Sequence, residues 1–184
     1  MQPNAEMSAE ANRQWSANVL RGASPTSPVL GVHMRGTDKY IGAGKIGPEQ
    51  YFPLIDAYLA ANEGPGKPNV TIYLATDDTG YHDATVAKYG KRVGQQANVD
   101  RATGDNAVWK AASSAGAHKR GMQVMLDSLL LSKCSYILKS NSAVSEFAIY
   151  FNPKLIENSY DFGLPDRKSP SWAPGLTVAT PSHS

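Results

Sequence analysis

Apolar positions along the chain follow two periods, and the change from one to the other marks out the predicted elements. Val29-Leu30-Gly31-Val32-His33-Met34 and Val70-Thr71-Ile72-Tyr73-Leu74-Ala75 are nearly continuous apolar runs of strand length, the pattern of strands covered on both faces. Between them Tyr51, Phe52, Leu54, Ile55, Tyr58 and Leu59 recur at helical spacing behind Pro48, and the pattern stops before Gly64-Pro65-Gly66-Lys67-Pro68. A polar, Ala-rich stretch predicts an N-terminal helix over about 6–20, followed by the linker Ser24-Pro25-Thr26-Ser27-Pro28. Downstream, the pattern predicts a short helix around 80–89 and a weak strand near 91–95. Ala97 to Ala117 is polar and aperiodic and reads as a long loop. Met122, Val124, Met125, Leu126, Leu129, Leu130 and Leu131 make the helix from about 119 apolar almost all round, which predicts its burial. Ser135-Tyr136-Ile137-Leu138 predicts a strand, Ser140-Asn141-Ser142 its exit turn, and Val144 to Phe151 a helix. The segment from Pro165 to Ser184 is rich in Pro, Ser and Thr without an apolar period, and predicts a disordered tail.

Alternating strands and helices at this spacing predict an α/β fold: a Rossmann-like parallel sheet with helices on both faces. The chain divides into an N-terminal helix and linker (1–27), one domain (28–164) and the tail (165–184). In such sheets ligands bind beyond the carboxyl ends of the strands. That rule gathers three groups distant in sequence onto one rim: His33, Arg35 and Asp38; Asp77 and Asp78; Ser140, Asn141 and Ser142. His33 and Arg35 are two residues apart, so they project to the same side, and a planar guanidinium there can grip a phosphate with two hydrogen bonds. Taken singly each group has a plainer role. Arg35 and Asp38 make an ion pair, His33 is a core histidine, and Asp77-Asp78 and the serines serve as turns and helix caps. Their coincidence at one edge points to a ligand site.

Composition narrows the partners. The 184 residues carry a net charge of +2 with both signs interspersed, which is not the footprint of nucleic-acid binding. Cys134 is the single cysteine, so no intrachain disulfide can form, and a small buried hydrophobe is its expected role. No apolar run reaches the roughly 18 residues of a membrane span. Four histidines and one cysteine show no metal-ligand spacing. Gly42-Ala43-Gly44-Lys45-Ile46-Gly47 matches the dinucleotide pattern G-x-G-x-x-G, but it begins eight residues after Met34 rather than at a strand-to-helix turn, so it reads as a loop. A P-loop motif is absent from the sequence.

Gly31-Val32-His33-Met34-Arg35-Gly36-Thr37-Asp38-Lys39, Ile72-Tyr73-Leu74-Ala75-Thr76-Asp77-Asp78, and Asp127-Ser128-Leu129-Leu130-Leu131-Ser132-Lys133-Cys134 leading to Ser140-Asn141-Ser142 resemble the three sugar-nucleotide motifs of the fucosyltransferases. The match is nearest to the α1,6-fucosyltransferase and NodZ group, in the family's order, over about residues 28–152. The resemblance implies the GDP-fucose-binding lobe, the C-terminal half of a GT-B enzyme that inverts configuration and needs neither metal nor cofactor. It assigns Arg35 to the β-phosphate and to the charge on the departing GDP, His33 and Asp127 to guanine, and Ser142 to a phosphate. Asp38 and Asp78 fall at positions whose loss is expected to abolish activity, through site architecture or through contacts to the ribose and sugar, with Asp78 counted among the GDP-fucose-binding residues and Asp38 a candidate base. The family's second arginine is replaced by Gly36 and its glutamate by Ala43. Only about 28 residues precede the first motif, so the acceptor-binding lobe is missing from the sequence. The expected partners are GDP-fucose, a glycan acceptor and a separate acceptor-binding lobe or chain. The alternatives are a nucleotide-sugar-binding module without transfer activity and, from the glycine loop, an NAD-dependent oxidoreductase. By the same resemblance the compartment is the Golgi lumen for a eukaryotic chain and the cytoplasm for a bacterial one.

Overall fold

The computed structural model describes residues 3–36, 46–102, 114–164 and 168–176. Five strands form one parallel sheet: β1 (Val29–Met34), β2 (Thr71–Thr76), β3 (Val93–Gly94), β4 (Tyr136–Lys139) and β5 (Ser159–Asp161). Their spatial order is β3-β2-β1-β4-β5. The chain therefore builds outward from β1 in one direction through β3, then returns to β1's other edge with β4. In an open α/β sheet such a reversal leaves a crevice beyond the strand ends. His33 and Arg35 lie at that point, one within β1 and one just past it.

The helices are α1 (Ala5–Gln14), α2 (Pro48–Asn62), α3 (Thr79–Tyr89), α4 (Ser114–Ser132) and α5 (Ala143–Phe151). Strand alternation divides the core into two layers. Leu30, Val32, Met34, Ile72, Leu74 and Leu138 face α2 and α3, among them Tyr51, Leu54, Ile55 and Tyr58. Val29, Tyr73, Ala75 and Ile137 face α1, α4 and α5, among them Leu129, Leu130, Leu131 and Ala148. His33 shares the parity of Val29, so it faces the α4 and α5 side. Gly31 sits there where α4 ends; a Cβ on it would lie 2.9 Å from Cys134 Sγ and from Ile137 Cγ2.

Four features differ from the sequence expectation. The N-terminal helix is α-helical only to Gln14, and Trp15–Leu20 winds as a π-helix closed by Arg21 in the left-handed region. The helix beginning near 119 starts at Ser114 and is not apolar-buried all round, because Met122 and Val124 are exposed while Leu126, Leu129, Leu130 and Leu131 are buried. Strand β5 was not expected at all. Finally, residues 168–176, within the stretch expected to be disordered, pack on the core: Trp172 meets Tyr58 and Tyr136 edge-on, each at 5.2 Å between ring centroids, and Ala173 is buried. Residues 165–167 and 177–184 lie outside the described residues, as do 103–113 of the expected long loop. Cys134 is buried as expected. Among the described residues no helix is long and apolar enough to cross a membrane.

Candidate functional site: a cleft beyond β1 and β2

A partly open cleft with a cavity volume of about 110 Å³ lies over the carboxyl ends of β1 and β2, on the α4 and α5 side. His33, Arg35, Thr76, Asp77, Asp127 and Val144 contribute to its wall. These residues come from four separate segments. Their meeting follows from the parallel sheet, which ends β1 and β2 on the same edge and starts α5 from the exit of β4.

At the floor, Asp77 organises the end of β1. Its Oδ1 accepts from the Gly36 N–H at 2.8 Å, and its Oδ2 lies 3.2 Å from Arg35 Nε in an ion pair between partly exposed side chains. The neighbouring Asp78 is buried and does something different: its Oδ1 accepts from the Tyr81 N–H at 3.0 Å, capping α3. A Cβ on Gly36 would lie 2.4 Å from Asp78 Cβ. Glycine is thus built into the approach of these two loops. The segment after β3 also reaches this edge, with Ala102 N–H donating to Asp77 O and Thr79 N–H to Ala102 O, both at 2.9 Å.

The far wall is α4. Arg120, Gln123, Val124 and Asp127 line the cleft at positions i, i+3, i+4 and i+7 of one helical face. Asp127 is partly buried, and its Oδ1 accepts from Tyr73 Oη–H at 2.6 Å and from Gln96 Nε2 at 2.8 Å. Burial raises its pKa to about 6; the hydrogen bonds from Tyr73 and Gln96 and the charge of Arg101 hold it down, and Asp77 adds a small push upward. Burial also raises the Tyr73 hydroxyl well above its ordinary range, so it remains a donor throughout neutral pH.

The turn after β4 forms the third side. Ser142 stands at the N-cap of α5, yet its side chain makes no capping hydrogen bond. The Ser145 hydroxyl ties the turn to the first turn of α5 by donating to Ser140 O and Ser142 O, which leaves the helix's free N–H groups uncapped by side chains. Below the turn the buried Lys139 ammonium pairs with Glu146 at 2.5 Å and with Asp161, joining β4, α5 and β5. Val144, two residues beyond Ser142, lines the cleft.

The structure therefore brings His33, Arg35 and Asp127 into one cleft and places Ser142 at the start of the helix that borders it. It buries Asp78 beneath the cleft as a helix cap. Asp38, like most of the glycine loop at 42–47, lies outside the described residues. Sequence reasoning left out Arg120, Gln123, Val99 and Asp100 as lining residues and Tyr73 and Gln96 as partners of Asp127. The first two were legible as the helical face of Asp127. Lys139 and Gln96 had no local signal, since only the fold supplies their partners. Among the described residues no three His, Cys, Asp or Glu side chains cluster as a metal site requires.

The sheet order and the cleft at the reversal define a Rossmann-like α/β fold of the kind found in fucosyltransferases. Two solved structures of NodZ α1,6-fucosyltransferase have this fold. One, co-crystallised with GDP, aligns with 82% of this chain at 17% identity and a TM-score of 0.50; the other, soaked with GDP-fucose, aligns with 83% at 18% and 0.52. The chain spans 42% and 44% of their lengths, less than half. No family model and no curated protein matches the chain by sequence.

Proposed function

We propose that this chain is a GDP-fucose-binding lobe of a fucosyltransferase-like enzyme that transfers fucose to a glycan acceptor with inversion. The observation that supports it best is the shared cleft of Arg35, His33 and Asp127. It sets a guanidinium and a carboxylate at the sheet edge, where a nucleoside diphosphate needs a cation for its phosphates and an acceptor for the N–H edge of its base. In this reading Arg35, oriented by Asp77, binds the β-phosphate and stabilises charge gathering on GDP as the sugar leaves. His33 borders the base, Asp127 accepts from guanine N–H groups, and Ser142, whose hydroxyl is not used for capping, donates to a phosphate. Asp78 supports the site by capping α3 and packing under Gly36. A base for the acceptor hydroxyl is still required, and Asp38 is assigned that part by resemblance. The reading invokes neither metal nor cofactor, and an acceptor-binding lobe, in the same or another chain, completes the enzyme.

Isothermal titration with GDP, GDP-fucose and NAD tests the proposal. GDP and GDP-fucose are expected to bind and NAD not to. Arg35→Ala should lose most of the GDP affinity, because one charge-assisted contact is worth roughly 1.5–3 kcal/mol. An unchanged GDP isotherm for that variant refutes the phosphate role, and NAD binding without GDP binding refutes the proposal as a whole.

A further inference from the structure

Asp127 carries an asymmetry that a simple binding carboxylate does not need. Its Oδ1 already accepts two hydrogen bonds, from Tyr73 on β2 and from Gln96 after β3, which fills both lone pairs of that oxygen. Gln96 is itself fixed, since the same amide nitrogen also donates to Gln123 O on α4 at 3.1 Å. Both partners are buried. Oδ2 makes no hydrogen bond among the described residues, and Asp127 lines the cleft. Two elements thus lock one oxygen of a carboxylate while the other stays uncommitted.

We propose that Tyr73 and Gln96 are positioning residues that fix Asp127 as a one-oxygen acceptor, presenting Oδ2 to the ring N–H of a purine and thereby selecting guanine over adenine. The inference rests on the nucleotide-binding reading above and adds how the base is chosen. Guanine carries a hydrogen at N1 that an ionised carboxylate accepts. Adenine offers a lone pair there, which the carboxylate repels. A protonated carboxyl reverses the rule, because its O–H donates to adenine N1. Selectivity therefore depends on keeping Asp127 ionised, and the two donors on Oδ1 do so by stabilising the charged form. The other charged groups around it are Arg101 and Asp77, which act on its charge, and His33, Arg35, Asp100 and Arg120, which share the cleft. These are common to both nucleotides, as is the titration of the nucleotide's own phosphate, so they cancel in the ratio of affinities.

The test is the ratio of GDP to ADP affinity for the full chain at pH 6.5 and pH 8, with Tyr73→Phe and Gln96→Leu beside the wild type and thermal melts confirming that each variant is folded. The wild type should prefer GDP by about tenfold or more at both pH values, as expected for one hydrogen bond made or refused in a partly buried site. Each variant should lose most of that preference at pH 6.5 and regain it at pH 8, a rescue by pH that a general weakening of the fold does not produce. Wild-type preference with unchanged pH behaviour in both variants overturns the positioning role and leaves GDP binding intact. Failure of the wild type to bind GDP at either pH overturns the nucleotide-binding reading, and this inference with it.

Discussion

At the scale of single residues, Asp127 sets site chemistry against stability. Its folded carboxyl holds a proton up to about pH 6, against an ordinary value of 3.8. Its contribution to stability is thus complete below about pH 4, declines as pH rises through 6, and is lost above. Asp127→Asn keeps an oxygen for Tyr73 and Gln96 and removes the buried charge. We expect that variant to be more stable than wild type at pH 7, by about 1–3 kcal/mol, with the gain gone by pH 4, as chemical denaturation at the two pH values will show. Gly36→Ala should do the opposite, costing about 1–3 kcal/mol at any pH, because its Cβ drives into Asp78 and disturbs both the α3 cap and the hydrogen bond to Asp77. Equal denaturation midpoints for Gly36→Ala and wild type would remove that argument. His33 and Arg35 were legible in advance, because strand alternation alone puts them on one side. The adjacent Asp77 and Asp78 were not separable: identical side chains in sequence, they turn to opposite tasks once β2 ends, one to Arg35 and one to the helix behind it.

At the scale of elements, helical and strand periods placed β1, β2, β4, α2, α3 and α5 to within a few residues, because each buries a continuous face. The exceptions share a cause, which is contact with something far away in sequence. The π-helical turn at Trp15–Leu20 passes directly over Gly94, where a Cβ would lie 2.7 Å from Asn18 O and 3.0 Å from Val19 Cα. Strand β5 is three residues long and carries no period of its own; its pairing with β4 and the Lys139–Asp161 ion pair define it. The packed segment at 168–176 looks like linker composition, yet Trp172 closes an aromatic cluster with Tyr58 and Tyr136. Trp172→Ala should therefore cost about 2–4 kcal/mol, read as a lower denaturation midpoint. A neutral substitution would mean that the segment does not pack there.

At the scale of the whole molecule, the amino-acid sequence by itself determined the fold class and which stretches end at the edge that carries the cleft, because periodicity and strand exits are local properties of the chain. Its three motifs also resemble those of the fucosyltransferases, whose Rossmann-like fold the chain shares. The tertiary structure alone decided the strand order, with its reversal at β1, and hence that the cleft opens there. It also decided that α4 turns Arg120, Gln123, Val124 and Asp127 toward the cleft while burying Leu129, Leu130 and Leu131. The hydrogen bonds on Asp127 come from residues 54 and 31 positions away, and no local pattern encodes a pairing across that distance. Such contacts exist only once the sheet has closed and desolvated them, which is why the chemistry of this site belongs to the fold and its location to the sequence.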